Sequence, residues 1–252
     1  GSVELTAEST NLESHAFPLD APNAELSYIE ASGYQIPPQG DIHTAIVRQF
    51  QVYQHGCPAG PVLRKTFFLG EGENSRYQLP VVSINTSDDN LFSDDGIYGY
   101  GTSGFNFDYR GKDWERPATV EYFENGQLKI SQNIGLRIRG KRSRYSPQKS
   151  FKLYAREEYG TKKFENVFFP DLGNNKLKRL NLRTPHNDFI RSMTADHLAS
   201  NLVKDLDIDA PMSNRCVLYI NGEYWGLYTL QESMDDHYPE TRYDINDDDV
   251  LE

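Results

Sequence analysis

Seven positive charges and no acid lie between Arg137 and Lys152, inside "GLRIRGKRSRYSPQKSFKL", although the 252-residue chain carries a formal net charge of −11. Arginine can grip two oxygens of a phosphate or carboxylate at once, and a lysine ammonium adds a mobile point charge. Ile134, Leu136 and Ile138 alternate with Gly135, Arg137 and Arg139. One face of that strand therefore meets a core while the other presents guanidinium groups. Gly140, Ser143 and Ser146 let the backbone bend and offer amides or hydroxyls to an anion. The run reads as a strand, a loop and a second strand, "SFKLYA", with its charges converging on one face. A compact phosphate suits such a face, because the negative charge of the whole chain opposes long-range attraction of nucleic acid or anionic membrane.

Other chemistry-bearing residues carry weaker signals. "DINDDDVLE" places Asp244, Asn246 and Asp248 at calcium-loop spacing, but Asp249 stands where the turn glycine belongs, so solvated acid is the better reading. Asp88, Asp89, Asp94 and Asp95 read as turn residues. "GYGTSG" (Gly99 to Gly104) follows no clear strand and opens no helix, which argues against a dinucleotide loop. His186 and His197 read as helix-surface histidines without a second ligand at metal spacing. There is no Gly-x-Ser-x-Gly elbow. Cys57 and Cys216 permit one disulfide without implying it.

The elements that must position the basic run follow from periodicity. The first stretch, to about Asp41, reads as a loose lead-in or edge strands. "HTAIVRQFQVYQHG" and "PVLRKTFFL" form a hairpin about "CPAG", and the polar Gly70 to Gln78 is a linker with a domain boundary near residue 76. Asn125-Gly126 and Asn221-Gly222 supply tight hairpin turns. Asn187 to Leu206 carries apolar residues near every fourth position and reads as one long helix, with Asn187 or Asp188 able to cap it. The expected class is α+β: an antiparallel sheet with one long covering helix over residues 77–252, and a small β module over 1–76. No apolar run approaches the roughly 20 residues of a membrane helix.

From "LPVVSI" onward the chain resembles the bacterial spore-coat CotH kinase family. The motifs are "GIY", "W.RPATVEYF", "GLRIRG..SR..PQKSFKLYAR..YG", "VFFPD", "LNLR", "R.....HLASNL" and "YINGEYWGLYTLQE", in the family's order. "TAIVRQFQVYQHGCPAGPVLRKTFFL" more loosely resembles a chitobiase C-terminal-like β module. The resemblance implies an atypical protein-kinase fold that holds ATP and magnesium between two lobes, so the sheet is expected to be an N-lobe. It assigns Arg139, Ser143, Arg144 and Lys149, on "RG..SR....KS", to nucleotide phosphates, with Lys149 as the counterpart of a kinase strand lysine. Glu232 falls where the interlobe hinge begins, and either contacts the adenine or ribose or merely ends its strand. The family's "N.D" and "WDFD"-like acidic segments are not found, so catalytic and metal-binding aspartates are expected beyond Glu252 and this stretch alone is expected to be inactive. A secreted or cell-surface location, a protein substrate and self-association of an exposed lobe are further implications.

Two other classes stay open. One is a noncatalytic protein of cell-surface or carbohydrate attachment on a kinase-like scaffold. The other is a sulfate or polyanion-binding face.

Overall fold

The computed structural model describes residues 42–69, 77–101, 104–146, 148–173, 176–189, 191–206 and 208–245. The lead-in, most of the linker and the end of the acidic terminus lie outside the described residues.

Both Asn-Gly pairs make the turns their residue types demand. Asn125 (φ 51°) and Gly126 (φ 74°) join β8 (Arg116–Glu124) to β9 (Gln127–Arg139). Asn221 (φ 48°) and Gly222 (φ 87°) join β12 (Ser213–Ile220) to β13 (Glu223–Glu232). Two successive positive φ angles match the right-handed twist of the paired strands. The N-terminal hairpin, β1 (Ile46–Phe50) with β4 (Leu63–Phe67), carries a ribbon of β2 (Tyr53–Gln54) and β3 (Cys57–Pro58). Its tight turn falls at His55-Gly56, both at positive φ, rather than at "CPAG".

With β5 (Val81–Asn85), β10 (Ser150–Tyr154) and β11 (Arg179–Arg183), the strands form more than an open sheet. Among the described residues seven strands close into a barrel of order β10-β11-β13-β12-β5-β8-β9, with β9 returning to β10. Six contacts are antiparallel; β5 and β12 run parallel, which an all-antiparallel expectation missed. Closure leaves no strand edge unpaired, and alternation then divides residues between inside and outside. Ile134, Leu136, Phe151, Leu153, Leu182, Leu218, Tyr228 and Leu230 fill the interior and are at most 1% exposed. Trp225 is among them.

The hairpin packs on the outside of the barrel. Phe68 meets Phe123 and Tyr219 edge-on at 5.3 and 5.1 Å, and the buried Glu121 carboxylate accepts the Thr66 amide and pairs with Lys65. A single helix does not cover the sheet. His186–Asp188 is a 3-10 turn, the chain bends at Met193 (φ 56°), and only Ala195–Val203 is α-helical; we label it α2, after α1 (Asp88–Phe92) and before α3 (His237–Tyr243). The break has a local cause: the Asp188 carboxylate accepts the Ala195 amide and the Ser192 hydroxyl, capping the later helix from seven residues back. Leu198, Leu202 and Leu206, expected on a buried face, are 55%, 71% and 56% exposed. Cys57 is exposed and Cys216 buried, both as free thiols.

One glycine of the basic strand makes room for a buried carboxylate. A Cβ on Gly135 would run into the Glu115 carboxylate, which lies over it and binds both Arg137 and Arg156. Gly135→Ala is expected to cost about 1–3 kcal/mol in urea unfolding. In Glu115→Ala/Gly135→Ala the two losses should fall short of their sum; strict additivity would show that the contact is not the cause.

Candidate functional site

The seven cations of the basic run separate into three groups. Arg137 and Lys152 are neutralised by distant acids: Arg137 Nη2 lies 2.6 Å from Glu115, and Lys152 Nζ lies 2.7 Å from Asp235. Arg179 Nη1 joins the second pair, 2.9 Å from Asp235 and 2.7 Å from Asp236, and four cations pack around the Tyr154 ring.

Arg144 and Lys149 turn inward. Lys149 shares the parity of Phe151 and Leu153, the interior face of β10, so its head sits over the Phe107 ring at 4.0 Å. Its Nζ donates to the carbonyls of Arg144 (2.6 Å) and Ser146 (3.1 Å). Arg144 is buried as well, donating to the carbonyls of Ile138, Gly140, Tyr109 and Phe107. These two side chains fasten the loop between β9 and β10 to the barrel mouth, and their heads face loop carbonyls instead of an open cleft.

Arg139, Lys141 and Arg142 remain, and all three line a cavity of about 670 Å³. Its walls are the β9–β10 loop, including Gly140 and Ser143, and the segment from Arg183 to Asp196. Five lining residues are Lys or Arg (Arg139, Lys141, Arg142, Arg183, Arg191) and two are acids, Asp188 and Asp196. Asp196 pairs with Arg183 at 2.7 Å and Asp188 caps α2, so both carboxylates are engaged. The Arg139 guanidinium makes no hydrogen bond or ion pair among the described residues. Burial first, and then the neighbouring Arg183, hold its pKa down at about 10. An anion in the cavity would relieve both effects.

Sheet register explains why these groups meet. Arg139 stands opposite Ser150, the Phe151–Leu182 pairing puts Ser150 opposite Arg183, and Arg183 stands opposite Thr229. Opposed residues share a face. A row of guanidinium and hydroxyl groups therefore crosses four strands on the outer surface, and all four residues line the cavity. His186 completes the wall, its Nδ1 2.8 Å from the Ser146 hydroxyl. Burial and the nearby Arg142 lower its pKa, so it is neutral near pH 7.

Of the residues singled out from sequence, Arg139 and Ser143 come together at this cavity, with Arg144 and Lys149 behind it. Glu232 is elsewhere: it is buried at the end of β13 on the interior parity, binds Arg242 at 2.7 Å and accepts the Met212 amide at 3.2 Å. Arg183, Ser150 and Thr229 escaped sequence reasoning; "LNLR" shows the outward parity of Arg183, but no local signal gives its partner strands. The described residues of "GYGTSG" belong to a short ribbon, β6 (Tyr100–Gly101) with β7 (Gly104–Phe105). No group of three or more His, Cys, Asp or Glu is placed to hold a metal ion among the described residues.

The ion pairs flanking the row give a pH signature. Burial alone would raise the Asp235 pKa, but the bond and charge of Lys152, the Ser233 hydroxyl and Arg179 outweigh it and bring it down to about 2. Lys152 is itself held low by its burial, so the gain of the pair shows in the carboxylate. A folded pKa below the unfolded value near 3.9 means stability present above about pH 4 and lost as pH falls toward 2. Asp235→Asn should flatten that part of a stability-versus-pH curve; an unchanged curve would contradict the pairing.

Comparison with known proteins bears on the same region. Residues 136–251 match the family model described as CotH kinase protein, a span that starts in β9 and contains the whole row. No curated protein matches the chain.

Proposed function

With residues 136–251 belonging to the CotH kinase family, we propose that this kinase-like domain binds the phosphates of ATP in the cavity between the β9–β10 loop and the segment from Arg183 to Asp196. The observation that carries the reading is the Arg139 guanidinium, held without a partner among the described residues beside Arg183. The Arg139 fork can match phosphate oxygens bidentately, Arg183 adds the donors that Asp196 does not take, and the Ser143, Ser150 and Thr229 hydroxyls line the same wall. Arg144 and Lys149 support the site from behind by fixing the loop that carries Lys141, Arg142 and Ser143.

Among the described residues the cavity fits phosphate and offers no unengaged carboxylate to hold a magnesium ion directly. Asp188 and Asp196 are taken up by a helix cap and an ion pair, and the described residues offer no cluster of three metal-binding side chains. The reading is therefore one of binding, and no transfer step is routed through a metal here.

The inward heads of Arg144 and Lys149 favour a second reading, a noncatalytic, secreted or cell-surface attachment protein on the same scaffold. There the N-terminal β module, bounded near residue 76, is the part that meets a carbohydrate. Its hairpin exposes Phe50, Val52 and Tyr53 at 48%, 63% and 64%.

Calorimetric titration separates the two. Under the first reading the protein binds Mg-ATP, and Arg139→Ala weakens binding about 10- to 100-fold, the value of a charge-assisted contact. A protein that binds a sugar and shows no heat with millimolar ATP would support the second and overturn the first.

A further inference from the structure

The row of alternating cations and hydroxyls does not end at Thr229. Thr229 stands opposite Arg215 on β12, so the outward sequence across five strands is Arg139, Ser150, Arg183, Thr229, Arg215. Arg215 is 9% exposed, and its Nη1 donates to the Thr229 hydroxyl at 2.8 Å. Its Nε and Nη2 are buried without a hydrogen-bond partner, and so is the hydroxyl of Thr184, another residue of the cavity wall. Among the described residues no acid forms an ion pair with Arg215. Burial lowers the Arg215 pKa and the charge of Asp188 opposes that without a direct bond, its oxygens accepting from Ala195 and Ser192, while the pKa of His197 is held down by burial and by Arg215 itself. A buried cation with two unused donors is costly unless an anion reaches it.

We propose that Arg215 is the inner end of the anion site, and that the row binds a chain of linked phosphates rather than a single one. Neighbouring strands are about 4.8 Å apart, so Arg139 and Arg215 are separated by four spacings, roughly 19 Å of sheet, with Arg183 midway. One phosphate cannot touch three guanidinium groups so distributed; a polyphosphate lying along the row can reach successive ones. The inference rests on the anion reading of the cavity given above but not on the nucleoside.

The test uses the whole chain and three probes: inorganic phosphate, tripolyphosphate and Mg-ATP. Tripolyphosphate is expected to bind at least about tenfold more tightly than phosphate. Arg215→Met should lose about tenfold in tripolyphosphate affinity and less than about twofold for phosphate held near Arg139. Its unliganded melting temperature should equal or exceed that of the unaltered protein, because an unpaired buried charge has been removed. Arg215→Lys, which keeps a charge in the same place, serves if the methionine variant does not fold, and is expected to lose severalfold for tripolyphosphate alone. Equal affinity for phosphate and tripolyphosphate, or a lower melting temperature with tripolyphosphate affinity unchanged, overturns the proposal and makes Arg215 a structural residue. Mg-ATP distinguishes the two readings. Binding that depends on Arg139 but not on Arg215 keeps the nucleotide reading and defeats this one. Tripolyphosphate binding that depends on Arg215, without ATP binding, does the reverse.

Discussion

The period-two alternation of strand side chains, applied around a closed barrel, governs the rest of this structure. Once Ile138, Phe151, Leu182 and Leu230 must face the interior, their neighbours Arg139, Ser150, Arg183 and Thr229 have no choice but the outside. A slip of one residue in β9 or β11 would bury a guanidinium and expose a core side chain, so hydrophobic burial holds the polar row in register. The candidate site and the fold are thus set by the same constraint. Each large interior side chain contributes about 1.5–3 kcal/mol to keeping the alignment.

Positive charge concentrated in one stretch of an acidic chain is then managed in three ways. Distant acids from other elements, Glu115 and Asp235, neutralise Arg137 and Lys152. Backbone carbonyls at the barrel mouth absorb Arg144 and Lys149, converting two charges into struts for a loop. Arg139, Lys141 and Arg142 are left to the cavity, where the two carboxylates present are already engaged. The site is electropositive because five cations line it against two carboxylates, while the whole chain carries a net negative charge.

Much of this was legible in the sequence. Both Asn-Gly turns and the alternation of β9 could be read residue by residue, because turn chemistry and period two are local signals. The parity argument would also have turned Lys149 inward, since it stands two residues before Phe151; the attraction of a strand lysine for phosphate obscured it. Barrel closure, the parallel β5–β12 contact and the partners of Arg183 depend on pairings between distant segments, which no local pattern encodes. The helix was overextended because Ile190, Met193, Leu198, Leu202 and Leu206 keep a near-helical spacing, while Asp188 caps a start seven residues downstream and Met193 takes a left-handed turn. Glu232 was placed by its position at a strand end; its tie to Arg242 lies across a later helix.

The claim that the outward row is one anion site is tested most directly by watching the arginine side chains themselves. In a nitrogen-resolved NMR titration of the guanidinium Nε–Hε signals with tripolyphosphate, Arg139, Arg183 and Arg215 should shift together with one saturation curve, while Arg144, held by carbonyls, stays still. Shifts confined to the Arg156 and Arg179 ion-pair cluster, or separate curves for the three row residues, would contradict the account.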